Sequence, residues 1–217
     1  MNEKNYKEIV ASILIDIKSI KFSFKNPYTL TSGQKSPVYV DCRKIISFVE
    51  ERNQIINIAK KYIEENISNY DLLAGGETAG IPYSSFLSQI MNKKMIYIRK
   101  EAKKFGKNKQ IEGHFLKEQK VLLIEDLATD GGSKIIFIEA IKKAGLCISD
   151  IFVIFHYDIF DIKNTPLANT NVKIHSLCTW KDIINVIYKR KLFSDEDIIN
   201  LKLFLDFPEK WRQNWTK

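Results

Sequence analysis

An α/β fold, a mainly parallel sheet flanked by helices, is what this sequence predicts, and three observations predict it. Short apolar runs at 71–74, 95–98, 120–125 and 150–155 alternate with stretches of helical spacing, the pattern of successive strand–helix units. The run Ile151-Phe152-Val153-Ile154-Phe155 is apolar without alternation, as suits a strand covered on both faces. Two of the runs end in glycine-rich turns that lead straight into helices, at Gly75-Gly76 and Gly131-Gly132.

The elements follow in order. Ile9, Ile13, Ile17 and Ile20 recur at helical steps and predict an amphipathic helix over 6–20. Segments 21–24, 28–33 and 37–41 read as short strands, with turns at Asn26-Pro27 and Ser32-Gly33. Ile55, Ile58, Ala59, Tyr62 and Ile63 share one face of a helix over 51–66. After the strand at 71–74 and its glycine turn, Pro82 suits the first turn of the next helix, where no N–H is lost. Strand 95–98 leads into 100–113, whose five lysines and two glycines without a period read as a basic loop. Strand 120–125 feeds a helix over 132–144, stopped by Gly145. Beyond strand 150–155 come an edge strand at 172–177 and a helix over 179–189. Ser194 with Asp197 forms a variant capping box that opens a last helix to about Phe207. The tail 211–215 is expected to dock on the body through its tryptophans.

At 217 residues one domain, spanning 1–217, is the natural expectation. No apolar run approaches the roughly 18 residues of a membrane span, so no membrane partner is expected. Cys42, Cys147 and Cys178 are widely spaced and odd in number, which suggests reduced thiols in a cytoplasmic protein. The net charge of +8 is spread without long basic blocks, and it suits a polyphosphate substrate as well as nucleic acid. No nucleic-acid partner is expected on that ground.

The chemistry concentrates in 121–133. An apolar strand ends in Glu125 and Asp126, and the loop Leu127-Ala128-Thr129-Asp130-Gly131-Gly132-Ser133 leads into a helix. Backbone N–H groups and the helix dipole converge there on one point, a cradle for phosphate. Two acids at the end of a buried strand are costly unless they bind something. A Walker loop is excluded, because no lysine follows the glycines in the Gly-Lys-Ser/Thr order. A ligand carrying hydroxyls beside a phosphate, such as a sugar phosphate, meets both demands.

This segment resembles the PRPP signature of the type I phosphoribosyltransferases, with Glu125 in place of the usual first aspartate. The resemblance implies that the acids hold the ribose hydroxyls and that Thr129–Ser133 hold the 5′-phosphate. Arg99-Lys100-Glu101-Ala102-Lys103 with Gly106 resembles the flap loop of orotate phosphoribosyltransferases, although Phe105 stands where relatives commonly carry a histidine. By resemblance Arg99, Lys100 and Lys103 meet pyrophosphate, Lys103 and Asp126 are the catalytic residues, and flap 100–113 closes over the partner's site in a homodimer. Gly75-Gly76-Glu77-Thr78-Ala79-Gly80 resembles the pyrophosphate loop. Ser32-Gly33-Gln34-Lys35-Ser36-Pro37-Val38-Tyr39 resembles the N-terminal strand-turn that packs over the base. Lys21, Tyr39 and Thr129 are then the orotate contacts, in a small hood built mainly from 20–45, with C-terminal helices over 179–207. No arginine stands in 156–160, directly after strand 150–155, so backbone amides, Lys21 and Arg43 stay open as readers of the orotate carboxylate.

The implied fold is the type I phosphoribosyltransferase fold. The implied reaction joins PRPP to orotate, with Mg2+ bound mainly through PRPP and no metal site of the protein's own. Two alternatives are a purine or xanthine phosphoribosyltransferase, against which the flap argues, and a non-catalytic PRPP-sensing regulator that binds nucleic acid, for which the N-terminal segment is too short.

Overall fold

The structure, a computed structural model, describes residues 3–30, 33–102 and 110–215. In chain order its helices are α1 (Glu3–Asp16), α2 (Val49–Asn66), α3 (Gly80–Met91), α4 (Ile135–Lys143), α5 (Trp180–Arg190), α6 (Asp195–Asp206) and α7 (Pro208–Gln213). Its strands are β1 (Ile20–Phe22), β2 (Tyr28–Thr29), β3 (Lys35–Ser36), β4 (Val38–Val40), β5 (Leu72–Gly76), β6 (Lys94–Ile98), β7 (Ile111–Glu112), β8 (Lys120–Ala128), β9 (Cys147–His156) and β10 (Lys173–Thr179). The chain divides into two compact units, Val49–Thr179 and Met1–Phe48 with Trp180–Lys217.

The first unit carries the sheet, in the order β10-β9-β8-β5-β6-β7. Every neighbouring pair is parallel except β6 with β7. Side chains alternate along a strand, so Ile151 and Val153 meet Phe137, Ile138 and Ile141 of α4 in one core. Phe152, between them, faces the opposite layer and meets Tyr62 of α2, ring centroids 5.8 Å apart. Helices therefore cover both faces, as the unbroken apolar run of β9 requires.

Two expectations change in this unit. Strand β8 runs three residues past Glu125, because β9 extends alongside it and pairs Leu127 with Phe155 and Ala128 with His156. The loop expected over 100–113 closes in β7, where buried Ile111 pairs with Ile98. Two residues are too few to show a period.

In the other unit β1 and β4 form an antiparallel ribbon. The first helix ends at Asp16 rather than near Ile20. Lys18 turns left-handed (φ 54°), and Ser19 donates back to the Leu14 carbonyl at 2.9 Å. Ile20 then starts a strand. The tail folds as α7, with Pro208 in its first turn. Trp211 is buried, its indole donates to Asn200, and its ring meets Phe204 edge-on. The expected docking of the tail is thus onto α6.

Candidate active site

Strands β5 and β8 are parallel neighbours, so the two glycine loops leave adjacent strands at the same carboxyl end of the sheet. That is where open α/β sheets bind ligands.

The loop after β8 shapes itself with polar bonds of its own. Gly131 is left-handed (φ 78°), a conformation that favours glycine, and a Cβ there would overlap Leu167. Lys134 N–H donates to the Gly131 carbonyl at 2.9 Å, which starts the helical turn Gly132–Lys134 ahead of α4. Asp130 Oδ1 accepts from Gly132 N–H at 3.0 Å and from the Thr129 hydroxyl at 3.2 Å. A carboxylate thus already occupies one N–H of the turn, as an anionic ligand would. Ser133 is exposed, and Leu127 and Ala128 belong to the strand.

The two acids part company. Asp126 is half-buried. Glu125 is 5% exposed, and Lys134, itself 4% exposed, donates to its Oε2. Burial holds the Glu125 carboxyl above the usual carboxylate range, Lys134 and Lys100 oppose that rise, and Asp126 adds to it. Sequence reasoning missed Lys134, although the signal was there. It precedes Ile138 by four and Ile141 by seven residues, on the buried face of the helix.

The loop after β5 is held by close packing. Gly75 leaves no room for a side chain, since a Cβ would lie 2.7 Å from Ile81 Cα and 2.8 Å from the Gly80 carbonyl oxygen. A Cβ on Gly76 or Gly80 would overlap the Glu125 carboxylate. The peptide bond between Glu77 and Thr78 is cis, and Ala79 is the residue before α3. Glu77 finds a role the sequence did not suggest. Its N–H donates to the Ile98 carbonyl, and its Oε2 accepts from Lys100 N–H, both at 2.8 Å. The pyrophosphate-type loop is thereby tied to the start of the basic loop.

That start is closed by Gln110, which accepts from Arg99 N–H and donates to the Arg99 carbonyl, both at 2.9 Å. Arg99 Nε is buried without a hydrogen-bond partner among the described residues, a donor suited to an anion. Lys103, Phe105 and Gly106 lie outside the described residues, as does Ser32.

A cavity of about 360 Å³ opens beside Thr129 and Asp130 and is also lined by His156, Asp158 and Ser176. Burial pushes His156 below its ordinary 6.5, against the pull of Asp158 and a backbone hydrogen bond with Thr129. In the other unit the ribbon register sets Lys21 opposite Tyr39. Arg43 Nη2 donates to the Tyr39 hydroxyl at 3.4 Å, and Arg43 Nε pairs with Asp41 at 2.6 Å. The structure thus gathers three of the residues singled out for the base.

No family model matches the chain. Among solved structures, UMP synthase from Leishmania donovani superposes with a TM-score of 0.78 at 25% identity, over 93% of this chain and 42% of that longer one. Orotate phosphoribosyltransferase from Aeropyrum pernix superposes with a TM-score of 0.71 at 23% identity, over 85% of this chain and 99% of that one. The fold is that of the type I phosphoribosyltransferases. In sequence, orotate phosphoribosyltransferase of Agrobacterium fabrum is 44% identical over 206 residues, 94% of this chain and 89% of that protein. That of Roseobacter denitrificans is 38% identical over 212 residues, 97% and 94% of the two chains. The chain belongs to the orotate phosphoribosyltransferase family.

Proposed function

We propose that this enzyme transfers the 5-phosphoribosyl group from PRPP to orotate, giving orotidine 5′-monophosphate and pyrophosphate, in pyrimidine biosynthesis. One observation carries the reading: two anion-type loops leave neighbouring strands in a chain 44% identical to a named orotate phosphoribosyltransferase. The ribose carbon becomes cation-like as pyrophosphate departs, so orienting the base and stabilising the leaving charge are what the protein must supply. The acids Glu125 and Asp126 favour positive charge on the ribose, and Thr129 to Ser133 take the 5′-phosphate. Gly75 to Gly80 take the pyrophosphate, met by Arg99, Lys100 and the catalytic Lys103. Lys21, Tyr39 and Thr129 contact orotate.

Among the described residues no cluster of three or more His, Cys, Asp or Glu offers a metal site. Mg2+ would be held mainly through PRPP oxygens, where it neutralises pyrophosphate charge when bound. The working form in this reading is a homodimer whose flap 100–113 closes over the partner's site. Three free cysteines suit the reducing cytoplasm, and among the described residues no helix is long and apolar enough to cross a membrane.

The test is loss of orotate absorbance with PRPP and Mg2+, run beside uracil, hypoxanthine and adenine. Consumption of orotate alone is expected, and turnover of a purine with orotate untouched would reverse the assignment.

A further inference from the structure

One buried charged pair joins a site acid to a lysine that the reaction scheme does not use. Lys134 and Glu125 have side chains only 5% and 6% exposed. Glu125 Oε2 accepts from Lys134 Nζ. Its Oε1 has no hydrogen-bond partner among the described residues and fills the space that side chains on Gly76 and Gly80 would take. Phe137 of α4 borders the same slot, since a Cβ on Gly76 would stand 2.7 Å from its ring. The carboxylate therefore wedges into the loop after β5, and the cation that neutralises it comes from the first turn after the phosphate loop. A buried carboxylate costs heavily without such a partner.

We infer that Lys134 is a positioning residue, which sets the Glu125 carboxylate against Gly76 and Gly80 and locks the phosphate and pyrophosphate loops together. This rests on the PRPP reading. The charged groups acting on Glu125 are Lys134 from the helix start, Asp126 from its own strand and Lys100 from the segment just after β6. The carboxylate of Glu77, in the facing loop, is engaged by Lys100 N–H.

PRPP with Mg2+ is titrated by calorimetry into wild type, Lys134→Met and the double variant Glu125→Gln/Lys134→Met, at about pH 8 and about pH 6. Lys134→Met should bind PRPP about tenfold more weakly at the higher pH and regain most of that at the lower, where the stranded carboxyl takes up a proton. The double variant, with no carboxylate to strand, should keep one affinity relative to wild type at both pH values. A Lys134→Met protein with a lowered melting temperature but unchanged PRPP affinity overturns the positioning role. A double variant that regains PRPP affinity at the lower pH as Lys134→Met does overturns it too, because the stranded carboxyl would then not be the cause. If Lys134→Met does not fold, the double variant decides alone: one affinity relative to wild type at both pH values upholds the role, and a gain of about tenfold at the lower pH overturns it. Orotate turnover in the same samples separates the two readings: PRPP binding by wild type without turnover overturns the orotate assignment, while the affinities decide the pair.

Discussion

At the ends of neighbouring strands, the loop after β8 holds its shape with bonds made within five residues, whereas the loop after β5 holds its shape by pressing against atoms from elsewhere. Asp130, Gly131 and Gly132 supply the first from their own side chain and backbone. The second depends on Glu125, Ile98 and Lys100. A self-bonded loop tolerates change around it. A loop built on missing side chains does not, because any added atom must displace a neighbour in a close-packed interior.

The largest expected effect lies on the first loop's strand. Asp126→Asn should cut kcat by about a hundredfold or more in the orotate assay while melting as wild type does. Wild-type turnover would remove Asp126 from the ribose site. Gly80→Ala should injure both loops at once, since its Cβ meets the Ile124 carbonyl oxygen as well as the Glu125 carboxylate. A loss of about 3 kcal/mol in denaturant unfolding and a raised KM for PRPP are expected, and a silent substitution would mean the loops are not packed together. Glu77→Gln keeps an acceptor but loses its charge, so about 1 kcal/mol of stability and a modest loss of pyrophosphate affinity are expected. Unchanged affinity would make the bond to Lys100 N–H incidental.

The smallest effect is on pH dependence. The folded protein holds His156 below its ordinary 6.5. Between that lowered value and 6.5 the unfolded chain binds more protons, so stability falls as pH drops through the window and is fully present above it. His156→Asn should flatten the acid side of the stability curve in that window, read from melting temperature against pH, and an unaltered slope would assign the loss to other groups.

This contrast also explains what could be read from sequence. The segment 121–133 was legible because its acids, glycines and hydroxyls are contiguous. So was the sheet, whose apolar runs alternate with helical periods. The partner of Glu125 was not, since pairing a strand end with a lysine nine residues later requires the turn between them to be folded. Nor was the contact of Glu77 with Lys100, 23 residues apart, which exists only because β5 and β6 are parallel neighbours. Lys21 and Tyr39 were singled out separately, and only the ribbon register makes them opposite one another. Strand β7 and helix α7 are too short to show a period, and they form where Ile111 and Trp211 find buried places.

The central claim is a division of labour, ribose 5-phosphate on the loop after β8 and pyrophosphate on the loop after β5. Gly131→Ala disturbs the first through its left-handed φ and Leu167, and Gly75→Ala disturbs the second within its own backbone. Ribose 5-phosphate and Mg2+-pyrophosphate, titrated separately by calorimetry into each variant, should give crossed losses: about tenfold for ribose 5-phosphate in Gly131→Ala only, and about tenfold for pyrophosphate in Gly75→Ala only. Equal losses of both ligands in both variants, with folded proteins, would contradict the division.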